Sequence, residues 1–240
     1  MRLRAASISR KGPESTCNED ALLVDTVNGL FAVADGIGGS SNGEIASRTS
    51  IVCLRSAWAN RADAGAGDGV LAVLQAAFAG ANSAIIASAR QSNLTMGTTL
   101  TAVVIQSGML YLAHCGDSRA YLFTQSATRR LTEDQTLVAD MARRGFLTAD
   151  DALQHPKRNV LTGCLGRHEN FRLQTGTCVF GAGQTLLLCT DGVFSVIDDA
   201  DIARCVKRSH GLDRLIDAAL KAGSQDDMTA VIVSAEGDLP

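Results

Sequence analysis

Residues Ala21 to Gly39 read ALLVDTVNGLFAVADGIGG. Two short apolar runs, Ala21 to Asp25 and Leu30 to Ala34, flank the turn dipeptide Asn28-Gly29, the pattern of a β-hairpin. The second run ends in Asp35-Gly36. Aspartate is a poor strand residue and costly to bury unpaired. A glycine after it lets the backbone turn sharply and leaves a carbonyl open. The arrangement recurs at Leu186 to Gly192, LLLCTDG, where an apolar strand again ends in Asp191-Gly192. Together the two places point to carboxylates presented at strand ends in a shared cleft. Taken singly, each also reads as a plain Asp-Gly turn.

Outward from the hairpin, Thr98 to Gln106, Met109 to His114 and Ala120 to Thr124 follow closely, with Ser107-Gly108 and Gly116-Asp117 as turns. Connections that short cannot cross over to a parallel neighbour, so these strands form an antiparallel meander. Phe171 to Val179, Thr185 to Cys189 and Thr229 to Ser234 are further strand candidates. Leu71, Leu74, Phe78, Ala81 and Ile85 step by three and four, with Asp68 placed to cap the helix. Leu212, Leu215, Ile216, Ala219 and Leu220 repeat that spacing. Gly43 to Ala59 reads as a helix with a small-residue face, and Thr136 to Arg144 as one stopped by Gly145. Ala62 to Gly69 (ADAGAGDG) reads as a loop between helices, and no solenoid repeat occurs. Antiparallel runs with paired helices define an α+β protein, not a doubly wound parallel sheet. The expected architecture is two antiparallel sheets packed on each other with helix pairs outside, a four-layer α-β-β-α sandwich over one domain, residues 1–240.

Composition narrows the function. The 240 residues carry 22 Lys plus Arg against 25 Asp plus Glu, a net charge of −3, so no strong positive field favours nucleic acid. Hydrophobic residues at 46% exclude disorder as the main state, and 4% aromatics argue against base-stacking platforms. Met1 to Lys11 lacks a signal-peptide core, and the longest apolar runs are strand-sized, far below the roughly 20 residues that span a bilayer. The 7 cysteines are odd in number and include no CxxC pair, which disfavours both a zinc ribbon and a disulfide scaffold. They read as mostly reduced, buried thiols of a cytoplasmic protein.

Further acidic residues gather at strand ends. Glu19-Asp20 precede the first strand of the hairpin, Asp117 lies between two meander strands, and Asp226-Asp227 precede the last strand. Hard divalent cations such as Mg²⁺ and Mn²⁺ take oxygen ligands, which such a set supplies. His114, His155, His168 and His210 have no zinc-ligand spacing. Gly36-Ile37-Gly38-Gly39 fails as a dinucleotide loop, because Ser41 stands where a glycine is needed. A P-loop motif is absent.

These residues resemble the bacterial metal-dependent protein serine/threonine phosphatases of the protein phosphatase 2C (PPM) family, over essentially the whole chain. The marks, in order, are NEDA (Asn18 to Ala21), VADGIGGSSNGEIAS (Val33 to Ser47), GTTLTAVVI (Gly97 to Ile105) and CGDSRAYLF (Cys115 to Phe123). LTEDQT (Leu131 to Thr136), NVLTGCLG (Asn159 to Gly166), LLLCTDGV (Leu186 to Val193) and SQDDMTAVIV (Ser224 to Val233) follow. The resemblance implies the same two-sheet sandwich. It also implies two to three Mn²⁺ or Mg²⁺ ions, with Asp35 bridging two of them and the Gly36 carbonyl binding the second. Asp191 and Asp226 would hold the first, Glu19 and Asp20 would bind or orient its waters, and Asp117 with Asp191 would take a third. The implied reaction is hydrolysis of phosphoserine and phosphothreonine on proteins by a water bridging metals about 3.5–4 Å apart. No side-chain nucleophile is needed, in keeping with the absence of a CxxxxxR loop.

One departure concerns phosphate binding. Many members have Arg three residues before the NEDA asparagine, and here that position is Ser15, which offers no bidentate fork. Arg10 or Lys11 would then substitute, or metals and water alone would bind phosphate. Residues 133–166 match the family's variable flap, where Arg143, Arg144, Lys157 and Arg158 would meet acidic or phosphorylated partners or form a solvated basic face. By resemblance the partners are phosphorylated proteins, with a cognate Ser/Thr kinase and its substrates, and neither nucleic acid nor a membrane. A monomer is the default. The alternative is a pseudophosphatase, a phosphoprotein-binding module without turnover, which Ser15 alone favours.

Overall fold

The structure is a computed structural model that describes residues 1–38, 42–61, 67–208 and 210–236, the side chains at 149 and 153 apart. Its first elements are β1 (Arg2–Arg10), β2 (Ala21–Asp25), β3 (Leu30–Ala34), β4 (Gly36–Ile37), α1 (Asn42–Ala59) and α2 (Asp68–Ser92). β5 (Gly97–Thr98), β6 (Leu100–Gln106), β7 (Met109–Cys115), β8 (Arg119–Phe123), β9 (Thr128–Arg130), α3 (Leu137–Arg143) and α4 (Ala149–Gln154) follow. The chain continues with β10 (Gln174–Val179), β11 (Thr185–Cys189), α5 (Asp191–Phe194), α6 (Asp199–Val206), α7 (Gly211–Lys221) and β12 (Met228–Glu236). One sheet has the order β1-β12-β11-β8-β9, the other β10-β7-β6-β3-β2, and β4 pairs with β5 alone. All pairings are antiparallel.

The strand period of two builds the layers. In β3, Phe31 and Val33 face the second sheet, while Leu30, Ala32 and Ala34 face α1 and α2. In β11, Leu186 and Leu188 join that same inter-sheet core, while Leu187 and Cys189 face α6 and α7. Both faces of each sheet are therefore covered, and the four-layer α+β sandwich expected from the sequence is what forms. A strand buried on both sides ends in solvent only at its tips, so a polar residue at a tip is delivered to the sandwich edge.

Several expectations needed correction. Arg2–Arg10, read only for a targeting signal, is a full strand whose Leu3 and Ala5 pack on the inter-sheet core. Its arginines and serines mask the alternation, and its pairing with β12 places it. β9 and α6 were also unexpected, and the strand predicted from Phe171 starts at Gln174. Asp68 is the first helical residue of α2, not its cap. Gly67, at φ 76°, takes the cap position, and its N–H donates to the Tyr111 hydroxyl (3.0 Å). The ADAGAGDG loop lies outside the described residues from 62 to 66, as do 39–41 of the glycine-rich motif. α2 is long and apolar enough by length and composition to cross a bilayer, which the strand-sized reading missed because Gln75, Asn82 and Ser83 interrupt the run. Here its Leu74, Phe78 and Ile85 are fully buried beside Trp58 of α1. None of the seven cysteines forms a disulfide, and only Cys115 and Cys189 are fully buried.

Candidate metal centre

Strand tips and their turns place Glu19, Asp35, Gly36, Asp117, Asp191 and Asp226 around one cleft of about 940 Å³. Asp35 follows β3. Its N–H donates to Thr99 Oγ1 (2.9 Å), and its carbonyl accepts from the Thr98 hydroxyl (2.9 Å) and the Thr99 N–H (2.9 Å). With the backbone so satisfied, the residue is held while its carboxylate faces the cleft. Gly36 follows in β4, paired with Thr98, and its N–H donates to the Glu19 carbonyl (3.2 Å). A Cβ on Gly36 would lie 2.2 Å from the Gly43 carbonyl oxygen, so α1 approaches this turn only because glycine is there.

Asp191 opens α5, directly after β11, and its Oδ1 is a buried acceptor without a hydrogen-bond partner among the described residues. Burial, then Asp226 beside it, pushes its carboxyl up to about 6. Burial also raises Asp35, followed by repulsion from Asp191, Asp20, Asp117 and Asp226. Asp117, in the β7–β8 turn, is raised by burial and then by Asp191 and Asp134. An isolated polar acceptor and mutually repelling buried carboxylates lack a positive partner, and a divalent cation is one.

The acidic pairs divide. Glu19 lines the cleft, but Asp20 lies behind it, 8% exposed, accepting from the Thr190 hydroxyl (2.8 Å). Asp226 lines the cleft, whereas Asp227 turns away and accepts from the backbone N–H groups of Gly12 (2.8 Å) and Glu19 (2.7 Å). Asp227 thus clamps the segment that carries Glu19 to the start of β12. Among the described residues no three His, Cys, Asp or Glu side chains already converge on one ion position. The set suits ions held by one or two carboxylates each, completed by the Gly36 carbonyl and water, as hard cations prefer.

Behind Asp117 lies a network the sequence did not announce. Arg119 grips both oxygens of Asp134 (3.0 and 2.6 Å), donates to Tyr121 Oη (3.0 Å) and stacks over Phe194 of α5 (3.8 Å). Tyr121 in turn donates to Asp199 (2.8 Å). One buried cation therefore ties the Asp117 turn, the root of the 133–166 segment and α5 together. Arg143 of that segment is held by Asp140 and lies 3.8 Å from Glu133. Contrary to expectation, neither Arg10 nor Lys11 lines the cleft, although β1 ends beside the start of β12, and Lys11 bonds the Ser15 carbonyl. Ser15 lines an adjoining hollow of about 410 Å³ together with Arg158. The cations lining the cleft itself are Arg167 and Arg172.

Comparison with known proteins agrees with this geometry. The protein phosphatase 2C family profile matches residues 11–233. A serine/threonine phosphatase, stp, of Listeria innocua is 32% identical over 210 residues, 85% of this chain and 83% of that protein. The crystal structure of the Mycobacterium tuberculosis serine/threonine phosphatase PstP/Ppp superposes with a TM-score of 0.91 at 33% identity, covering 99% of this chain and 100% of that one. The catalytic domain of PstP in complex with two manganese ions superposes with a TM-score of 0.87 at 32% identity, covering 98% and 99%. With the strand-end carboxylates, the fold and the matched family in agreement, the chain belongs to the protein phosphatase 2C family and is a metal-dependent protein serine/threonine phosphatase.

Proposed function

We propose that this chain hydrolyses phosphoserine and phosphothreonine on proteins at the cleft between its two sheets, with Asp35, Gly36, Asp191 and Asp226 as the principal Mn²⁺ or Mg²⁺ ligands. Asp117 and Glu19 are the supplementary ones, and Asp20 acts through Thr190 from the layer behind. The observation that carries the reading is the convergence of Glu19, Asp35, Asp117, Asp191 and Asp226 on one cleft, with a buried Asp191 oxygen that has no donor among the described residues.

The divalent ions, when bound, neutralise phosphoryl oxygens and lower the pKa of water so that a nucleophile exists near neutral pH. The chain's own part is positioning, which dominates phosphoryl transfer. Thr98 and Thr99 fix Asp35 through its backbone. Asp227 fixes Glu19 through its N–H. Ser224 fixes the Asp191-Gly192 turn by donating to the Gly192 carbonyl (2.7 Å).

The test is p-nitrophenyl phosphate hydrolysis with Mn²⁺, with Mg²⁺ and with EDTA, alongside Asp191→Ala. Turnover that requires metal and disappears in the variant supports the reading. A folded protein with no turnover under either metal would favour the phosphoprotein-binding module instead.

A further inference from the structure

Two further hollows adjoin the cleft through different residues, and an arginine lines each. Toward Ser15 the cleft runs into the hollow that shares Asn159, Asp191 and Asp226 with it, where Arg158 forms part of the wall. Arg167, with Thr95, lines both the cleft and a separate depression of about 370 Å³ beside Arg90 that shares no residue with the first hollow. Neither Arg158 nor Arg167 has an ion-pair partner among the described residues. Three other arginines of the region are held: Arg143 by Asp140, Arg172 by Asp140 (3.0 Å), and Arg90 by Glu169 (3.2 Å).

Arg167 stands on a built turn. Buried Asn82 of α2 accepts from the Gly166 N–H (2.7 Å) and donates to the carbonyls of His168 (3.0 Å) and Glu169 (3.2 Å). Gly166 takes φ 90°, open to glycine. The Arg167 stem lies across Gly97, where a Cβ would meet its Cγ at 3.2 Å and its Nε at 3.3 Å. Gly97 pairs with Ile37, next to Gly36, so the arginine is set beside the strand that presents the Gly36 carbonyl.

The charge balance gives these arginines a task. Five carboxylates line the cleft and offset the charge of two divalent ions, so the fixed positive charge left to attract an anionic substrate lies on the arginines around it. We propose that the cleft binds an extended phosphoprotein segment with acidic residues on both sides of the phosphorylated one, read by Arg158 at one end and Arg167 at the other. This rests on the phosphatase reading and names its substrate class. Guanidinium forks suit carboxylates, and charge at the rim of a site selects partners more than it adds affinity.

The experiment compares kcat/KM of the Mn²⁺-loaded protein for phosphothreonine peptides of equal length with acidic, neutral or basic flanks, with p-nitrophenyl phosphate as the flank-free reference. Acidic flanks should win over neutral ones by roughly three- to tenfold, the scale of two exposed ion pairs, and the ratio should shrink as salt is raised. Peptides acidic on one side only assign each arginine: Arg158→Ala and Arg167→Ala should erode opposite halves of the preference, and the double variant should bring the ratio to about one. A wild-type ratio of one, or a ratio that survives the double substitution, overturns the proposal. If p-nitrophenyl phosphate is not turned over, the activity reading fails. Fluorescence anisotropy of the same peptides then still reads the groove, where equal binding of acidic and neutral flanks overturns it.

Discussion

Asp227→Asn is the sharpest probe of how the metal centre is held. The carboxylate is 5% exposed and accepts from two backbone N–H groups, Gly12 to Oδ1 at 2.8 Å and Glu19 to Oδ2 at 2.7 Å. An asparagine of the same shape keeps one acceptor and turns an NH₂ toward the other donor. One charge-assisted bond is lost and the second becomes neutral. At about 1.5–3 kcal/mol for a bond to a charged group and about 1 for a neutral one, the gross loss is about 3 kcal/mol. Repulsion between Asp227 and Asp20 is relieved at the same time, which offsets part of it. A net loss of about 2 kcal/mol corresponds to about 4–8 °C in Tm for a domain of this size. Asp227→Ala leaves both donors unpaired and should cost more. The assay is calorimetry at saturating Mn²⁺ with Mn²⁺ titration beside it, because loosening the Glu19 backbone should also weaken the ion. An Asn variant within about 1 °C of wild type, or an Ala variant no worse than Asn, would refute the clamp.

Other consequences can be checked on the same protein. Gly36→Ala places a methyl 2.2 Å from the Gly43 oxygen and 2.6 Å from the Glu19 oxygen, both backbone, so soluble yield should collapse or urea stability fall by about 3 kcal/mol or more. Asp191 has a folded pKa of about 6, above its unfolded value, so its share of stability is present below pH 4 and lost as pH rises through 6. Metal-free Asp191→Asn should therefore melt above wild type at pH 7.5, with the gap closing toward pH 4, and excess Mn²⁺ should reverse the order. Thermal melts in EDTA and in Mn²⁺ decide this, and a wild type that is the more stable in both contradicts it. Arg119→Ala takes the paired guanidinium from partly buried Asp134, which keeps only Arg130 at 3.4 Å, and should cost about 2–3 kcal/mol, whereas Arg90→Ala breaks only the exposed pair with Glu169 and should stay within about 1 kcal/mol. Chemical denaturation of both variants tests that contrast.

Much of the fold was legible because its signals are local. The hairpin of Ala21–Asp25 and Leu30–Ala34 and the meander through β6, β7 and β8 join neighbours in sequence, so apolar runs and turn residues specify them. The first strand was not legible. Its partner, β12, lies at the other end of the chain, and no residue near Arg2 records that pairing. The candidate site was legible for a similar reason. Aspartate at the end of an apolar strand is unfavourable unless something stabilises it, and Asp35, Asp117 and Asp191 follow such strands while Asp226 precedes one.

Sequence alone therefore determined the sheet-forming segments, the α+β class and the acidic residues offered for hard cations, because strand periodicity, turn chemistry and the cost of burying charge all act over a few neighbouring residues. Only the tertiary structure decided what each residue of a matched pair does. Glu19 faces the cleft while Asp20 bonds Thr190, and Asp226 faces it while Asp227 holds Gly12 and Glu19. It also brought Arg158 and Arg167, and neither Arg10 nor Lys11, to the cleft and its adjoining hollow, and set Arg119 behind Asp117. Those assignments depend on hydrogen bonds and charges brought together from segments up to some two hundred residues apart, where direction in space, not position in the chain, sets the partner.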